Sequence, residues 1–405
     1  MPFVLSCQNN NTKQKKGNQY ISNYNPVLRW TADNDKLNFK YNFLENLETL
    51  TLYKPSPESG TFSHHNYITY FDGVMYATWD NQIRDKNGSG QRGLYRRSYD
   101  KGKTWSQVEV LFPSLDEMLP ASKAYIGTRF QTSNGFVVID NTLYALSDVA
   151  DWAGPSIRQR HRVTLGRLCR SIEENGNLGE IFWLLDKAPE PIDGFPSYPA
   201  GDPELVKKIN TYIQQPGQEI QLNFGRGVHP ESDDNHGMGE PVPSWKLANG
   251  TLVRLYRDGG HKNAKTIRES EESKSRRNYA SFSFDKGKTW TTPTRTSFPD
   301  ACARTNAGRL PDGQIYVINN VLPLSTKKGG RTLMAISLSH DGLTFDRVGV
   351  IKLISPPIKY EGRAKSLGNQ YPHSVIVDEN LWVMYSVNKE SIQVTKIPLS
   401  ELEKL

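Results

Sequence analysis

Thr61–Trp105 reads TFSHHNYITYFDGVMYATWDNQIRDKNGSGQRGLYRRSYDKGKTW. Asp72-Gly73 is a two-residue hairpin signal between two runs of β-branched and aromatic residues. A third run, Gly93–Ser98, leads into the octad Ser98-Tyr99-Asp100-Lys101-Gly102-Lys103-Thr104-Trp105. Hairpins of the first kind recur. Phe136–Ser147 turns at Asp140-Asn141, Trp245–Tyr256 at Asn249-Gly250, Gly308–Asn319 at Asp312-Gly313, and Ser374–Val387 near Asp378-Glu379. None of them carries a helical period. Two are followed by relatives of the octad, SFDKGKTW at Ser283–Trp290 and SHDGLTF at Ser339–Phe345. A sheet unit repeated in this way predicts an all-β chain.

The octad has a local logic. Its Asp accepts backbone N–H bonds in a tight turn, its Gly supplies a positive φ, and its Trp packs between sheets. The pattern S-x-D-x-G-x-T-W resembles the Asp box of sialidase-type β-propellers. The resemblance implies four-stranded antiparallel blades arranged in a ring. The interval from Ser98 to Ser283 is about three times that from Ser283 to Ser339. Arg162–Pro243 has room for further blades, so seven blades are favoured and six is the alternative. Leu37–Tyr53 is expected to help close the ring. Residues 27–405 then form a single propeller, because each blade buries its faces only against its neighbours.

The chain has 405 residues, 36% of them hydrophobic and 10% aromatic, with a formal charge of +7. That charge favours acidic partners, yet no Lys/Arg tract has the density of a nucleic-acid arm. Cys7, Cys169 and Cys302 suit no zinc site. No apolar run reaches membrane-spanning length. Met1-Pro-Phe-Val-Leu-Ser-Cys7 resembles the end of a lipoprotein signal, trimmed and followed by a polar tether to about residue 26. The reading places the protein in a bacterial periplasm or on the cell surface. Membrane attachment would come only through a lipid on Cys7. The alternative is an ordinary N-terminal tail.

Topology locates a site before any chemistry is invoked. The octads sit on the turn between the third and fourth strands, at one end of the ring, and are scaffold. The other end collects residues before each first strand and after each second strand. In chain order these are His64, His65, Asn81, Asn134, Asp148, Glu240, Arg254, Arg257, Arg304, Asn306, Asn320, Arg363, Tyr371, His373 and Asn388. Gln91 lies beside them. Hairpin turns need only Gly, Asn or Asp, so turn chemistry does not explain His, Arg and Tyr here. The alternative is that they plug the channel with hydrogen bonds. An imidazole titrates near neutrality and suits a general base, while a guanidinium fork binds a carboxylate. His64-His65 has no carboxylate at helpful spacing for a metal. His161, His229, His236 and His261 lie in loop-like segments and serve as background.

Three segments are similar to the branch of this superfamily labelled sialidase-like. They are Ser63-His64-His65 with Tyr76–Trp79 and Gly90-Gln91-Arg92; Asp300–Gly308; and Tyr360–Lys365 through Gln370–His373 to Val394-Thr395. The best resemblance is to seven-bladed α-L-rhamnosidases and L-rhamnose–D-glucuronate lyases. It implies a histidine-based lyase or hydrolase acting on a rhamnose–glucuronate linkage of an acidic plant or algal polysaccharide. The base would be His64 or His65, with Arg304, Tyr371 and His373 as catalytic partners. Asn81, Gln91, Glu240, Arg257, Asn306 and Arg363 would bind substrate. Related ulvan lyases carry a second histidine where this chain has Asp80-Asn81. True sialidases use an arginine triad and a tyrosine nucleophile paired with a glutamate, which Arg257, Arg304, Arg363 and Tyr371 imitate. An exo-sialidase is therefore an alternative reading, and a non-catalytic glycan-binding propeller is another. The reading requires no cofactor and no nucleic acid, expects a monomer, and leaves room for a structural Ca2+ in the channel.

Overall fold

The computed structural model describes residues 26–31, 42–88, 90–115, 129–153, 161–173, 176–191, 195–217, 232–241, 244–261, 276–321 and 331–405. The expected signal remnant, its tether and Cys7 lie outside them. Each hairpin of the sequence forms, and the left-handed turn residues are those the turns require: Asp72 and Gly73 (φ 47° and 79°), Asp140 and Asn141 (φ 49° and 57°), and Asp378 (φ 50°). The strands assemble into antiparallel sheets whose innermost strand comes first in the chain.

The first blade is Phe62–Phe71, Val74–Gln82, Arg92–Ser98 and Glu109–Phe112. The second is Arg129–Ile139, Thr142–Ala153, His161–Ile172 and Phe182–Trp183. The third has an inner strand in two pieces, His236–Pro241 and Trp245–Lys246, then Leu252–His261, Arg277–Ser283 and Thr294–Pro299. The fourth is Asn306–Arg309, Ile315–Asn320, Met334–Ser339 and Arg347–Lys352. The fifth is Asn369–Val377, Asn380–Val387 and Ser391–Pro398, with Glu48–Tyr53 as its outer strand. That last strand comes from near the start of the chain and closes the ring, as expected of Leu37–Tyr53.

The described residues thus form five blades, which corrects the expectation of six or seven. The reason lies in the long interval after Arg162. His161–Ile172 and Phe182–Trp183, which lie there, complete the second blade and do not begin a further one. The interval also holds an α-helix, Pro203–Ile213, which the sheet-only reading missed. Its start was written in the sequence: Asp202 caps the helix by accepting from the Leu205 N–H at 2.9 Å, and Pro203 follows. The helix buries Val206 and Ile209 against Val137, Ile139 and Leu146 of the second blade.

Apolar clusters lie at four of the junctions between the described blades. Trp79 and Met75 of the first pack with Met384 and Trp382 of the fifth. Tyr95 and Phe112 meet Leu143 and Trp183 of the second. Val253 and Phe282 of the third meet Val317 of the fourth, and Ile336 of the fourth meets Val383 of the fifth. Burial of each such side chain stabilises the ring by about 2 kcal/mol.

The octad turns tie blades together from the far end. Asp100 accepts from the Ser98 hydroxyl (2.9 Å), the Thr104 N–H (2.8 Å) and the Thr104 hydroxyl (2.6 Å). The Thr104 and Ser98 hydrogen bonds hold its carboxyl down at about 2. Asp285 repeats the arrangement with Ser283 and Thr289, and Asp341 does so with Ser339, Leu343 and Thr344. Two of the glycines face the preceding blade. A Cβ on Gly102 would sit 2.4 Å from Trp382, and one on Gly342 would sit 2.8 Å from Leu247.

Candidate active site

The opposite end is built by irregularities in the inner strands. The pairing with the second strand slips between His64 and Tyr67 in the first blade, between Ser133 and Phe136 in the second, and between Gln370 and His373 in the fifth. Each slip is a β-bulge with two residues opposite one. A residue in each bulge is left-handed: His65 (φ 48°), Gly135 (φ 83°) and Tyr371 (φ 58°). Glycine takes this conformation freely, whereas histidine and tyrosine hold it at a cost of about 1–2 kcal/mol each. The bulges re-aim His65 and Tyr371, so that both join one cluster.

Tyr371 is the hub of that cluster. The His64 ring lies 4.0 Å from its ring, centroid to centroid, and the His65 ring meets it edge-on at 5.3 Å. Arg257 donates from Nη1 to the Tyr371 Oη at 3.0 Å. The guanidinium of Arg304 lies 4.9 Å from the Tyr371 ring centroid and that of Arg331 lies 5.7 Å from it. Three cations from the third and fourth blades therefore surround one buried phenol of the fifth. Asn66, the second residue of the first-blade bulge, donates to the carbonyls of Tyr371 (3.0 Å) and Met384 (2.9 Å) and locks the two bulges together.

His64 is 1% exposed. Its Nδ1 pairs with the Ser386 hydroxyl at 2.7 Å, while Nε2 has no hydrogen-bond partner among the described residues. Burial, reinforced by His65, Lys389, Lys86 and Arg331, pushes its pKa well down. His64 is accordingly neutral at physiological pH, the form that accepts a proton.

Arg304 also reaches out of the cluster. Its Nη1 donates to the Tyr67 Oη at 2.7 Å, and Tyr67 donates to Asn134 Oδ1 at 3.1 Å. Asn134 donates to Asp148, which also accepts from Arg167 at 2.6 Å. Burial raises the Tyr67 phenol to about 12, so it stays protonated. His373 faces Tyr67 at 5.0 Å. Its Nδ1 accepts from the Ile68 N–H at 3.3 Å, and burial followed by Arg304 pushes its pKa down to about 4.

The remaining candidates lie elsewhere. Asn81 donates to the Tyr53 Oη (3.0 Å) and accepts from Arg92 (3.1 Å), inside the joint between the first and fifth blades. Gln91 bonds the carbonyl of Gln131 and the Asn87 N–H, holding the first blade to the second. Asp80 accepts from the Ser133 N–H in the same joint. Asp80 and Asn81 are therefore structural polar groups of these joints. Asn306 accepts from the Ser374 hydroxyl between the fourth and fifth blades. Arg363 is exposed, and its backbone N–H donates to Asp85 at 2.7 Å. Arg254 stacks 3.8 Å from the Trp290 ring, toward the octads. The Glu240 side chain lies outside the described residues. Among the described residues no group of three His, Cys, Asp or Glu side chains is arranged to hold a metal.

Sequence reasoning missed Arg331 and Asn66. Arg331 stands just before the third strand of its blade, outside the positions where the topology directed attention. It donates to Gln370 Oε1 at 2.8 Å and to the Cys302 carbonyl.

Two family profiles divide the chain. One described as a BT_1020-like N-terminal beta propeller matches residues 53–224, and one described as a BNR repeat-like domain matches residues 227–386. No curated protein matches the sequence. Among solved structures, a sialidase superposes with a TM-score of 0.68 at 20% identity, covering 93% of this chain and 35% of its own. Trypanosoma rangeli sialidase in complex with sialic acid gives 0.51 at 14% identity, covering 90% of this chain and 60% of its own. A protein of unknown function from Dyadobacter fermentans DSM 18053 gives 0.51 at 12% identity, covering 88% and 100%. The chain is thus about a third of the length of the first of these sialidases. The fold is a sialidase-like β-propeller, and residues 227–386 match the BNR repeat-like profile.

Proposed function

We propose that the protein is an exo-glycosidase of sialidase type, which removes a terminal sugar bearing a carboxylate beside its anomeric carbon. The observation that carries this reading is the set of three guanidiniums, Arg257, Arg304 and Arg331, around the single phenol of Tyr371. Guanidiniums bind carboxylates in forked pairs, and a cationic surround favours a nucleophilic phenolate. Tyr371 Oη would bond to the anomeric carbon as the bond to the aglycone oxygen breaks with its electron pair. Water would then release the sugar from Tyr371, giving net retention. The phenol must first lose its proton, to water admitted with the substrate, and the Arg257 guanidinium at its Oη stabilises the phenolate that remains. Arg331 takes the third place that Arg363 was expected to fill. The complexes of T. rangeli sialidase with sialic acid support the substrate class.

Neutral His64, with an Nε2 that makes no hydrogen bond among the described residues, also fits a second reading. In that reading it takes the C5 proton of a glucuronate in a rhamnose–glucuronate lyase. One assay separates the two. The protein is incubated with an aryl α-ketoside of N-acetylneuraminic acid and, in parallel, with rhamnose-capped glucuronate oligosaccharides. Release of the aryl alcohol, lost about a hundredfold or more in Tyr371→Phe, is the expected result. Rising ultraviolet absorbance from an unsaturated uronate, with no aryl release, would overturn it in favour of the lyase. Saturable binding of the ketoside without product would point to a binding module.

A further inference from the structure

The loop that leads into the fourth blade holds a carboxylate that the chemistry above does not use. Asp300 is 2% exposed. Its Oδ2 accepts from the Asp258 N–H at 2.8 Å, and its Oδ1 from the Ala303 N–H at 3.4 Å. Asp258 follows Arg257 in the chain and Ala303 precedes Arg304. One buried carboxylate thus grips the backbone beside two of the three arginines. Its own N–H donates to the Arg276 carbonyl at 3.2 Å, which fixes the loop to the third blade. Other bonds run in parallel. Cys302 donates from Sγ to the Asp258 carbonyl at 3.4 Å, Arg276 donates to the same carbonyl at 3.1 Å, and Arg331 donates to the Cys302 carbonyl. Cys302 is left-handed, with φ 52°, so the loop is bent to make these contacts.

We propose that Asp300 is a positioning residue for the arginine cluster: its ionised carboxylate sets the separation of Arg257 and Arg304, and protonation releases it. The proposal rests on the reading of the site as a clamp for an acidic sugar. A carboxylate accepts from two amides at once, whereas a carboxyl group carries a proton on one oxygen and loses its attraction for nearby cations. The groups facing Asp300 are Asp258 and Arg257 from the second strand of the third blade and Arg276 from the start of its third strand. His236 pairs with Asp258 from the inner strand at 2.9 Å. Burial, with Asp258 adding to it, raises Asp300 to about 6 against the pull of the amide, Arg257 and Arg276. The release therefore falls within the working range of an enzyme, while His373 titrates lower.

The experiment compares the wild type with Asp300→Asn, which keeps the shape and one acceptor but cannot ionise. Michaelis constants for the aryl ketoside are measured between pH 5 and 7.5. In the wild type KM is expected to rise about tenfold toward pH 5 with kcat within about twofold, following ionisation of one group. In Asp300→Asn, KM is expected to be raised throughout and flat over that range. The second readout needs no substrate: the arginine Nε–Hε signals in 15N NMR spectra, assigned with Arg257→Lys and Arg304→Lys. Both signals are expected to titrate together near pH 6 in the wild type and to stop titrating in Asp300→Asn. Arginine signals that do not move in the wild type, or that titrate unchanged in the variant, would overturn the proposal. If no ketoside is cleaved, the glycosidase reading fails and the NMR titration alone decides the role of Asp300.

Discussion

Asp300 is a residue whose charge works against the fold. An isolated aspartate titrates near 3.8, and this one is raised to about 6 because burial penalises its charged form. Protonation therefore favours the folded state. The stability linked to this group is fully present below about pH 3.8 and is lost as the pH rises to about 6. At pH 7.5 the ionised form is expected to cost about 2–3 kcal/mol. Asp300→Asn should therefore raise the melting temperature at pH 7.5, and the gain should vanish by pH 4. A melting temperature that falls at pH 7.5 would show that the ionised carboxylate stabilises the fold. His64 and Tyr371 were legible in the sequence as His and Tyr at strand starts. Arg331 was not, because it precedes a third strand. Asn66 was hidden for another reason: its role follows from a bulge, and a bulge leaves no mark on hydrophobic alternation.

At the scale of elements, the hairpin turns and octads were the clearest part of the sequence, since Asp, Asn and Gly at fixed offsets encode local geometry. The helix Pro203–Ile213 was missed although Asp202-Pro203-Glu204 announces it, because a repeat of sheet units had already been given the interval. The first and third octads are more than turns, for their glycines lie against the preceding blade. Gly102 combines φ 86° with a would-be Cβ 2.4 Å from Trp382. Gly102→Ala should thus destabilise the protein by about 2–4 kcal/mol, through a left-handed alanine and displacement of a tryptophan. Chemical denaturation is the direct check. A loss below about 0.5 kcal/mol would mean that the turn does not anchor the first blade to the fifth.

For the whole molecule, the number of blades was the least legible quantity. Spacing between octads counts blades only if every blade spends the same length of chain, and the second blade spends part of its length on a helix. Ring closure was legible, and it has a consequence for stability. Glu48–Tyr53 pairs with Ser391–Pro398 and buries Leu52 and Tyr53 to 2% and 5% exposure. A chain that begins at residue 54 loses those bonds, about 4 kcal/mol of apolar burial, and the clasp that joins its two ends. It should be recovered as a less cooperative species, with a broadened urea transition and rapid proteolysis of the fifth blade. A sharp transition at the wild-type midpoint would show that the other blades hold the ring shut unaided.

The bulges of the inner strands bear on how such a protein would drift under artificial selection. Gly135 occupies its bulge freely, but His65 and Tyr371 occupy theirs under torsional strain. A library screened for survival of heating, with no demand for catalysis, should enrich glycine or asparagine at positions 65 and 371. Those are the very positions where the hub would be erased, so heat tolerance and chemistry would part company there first.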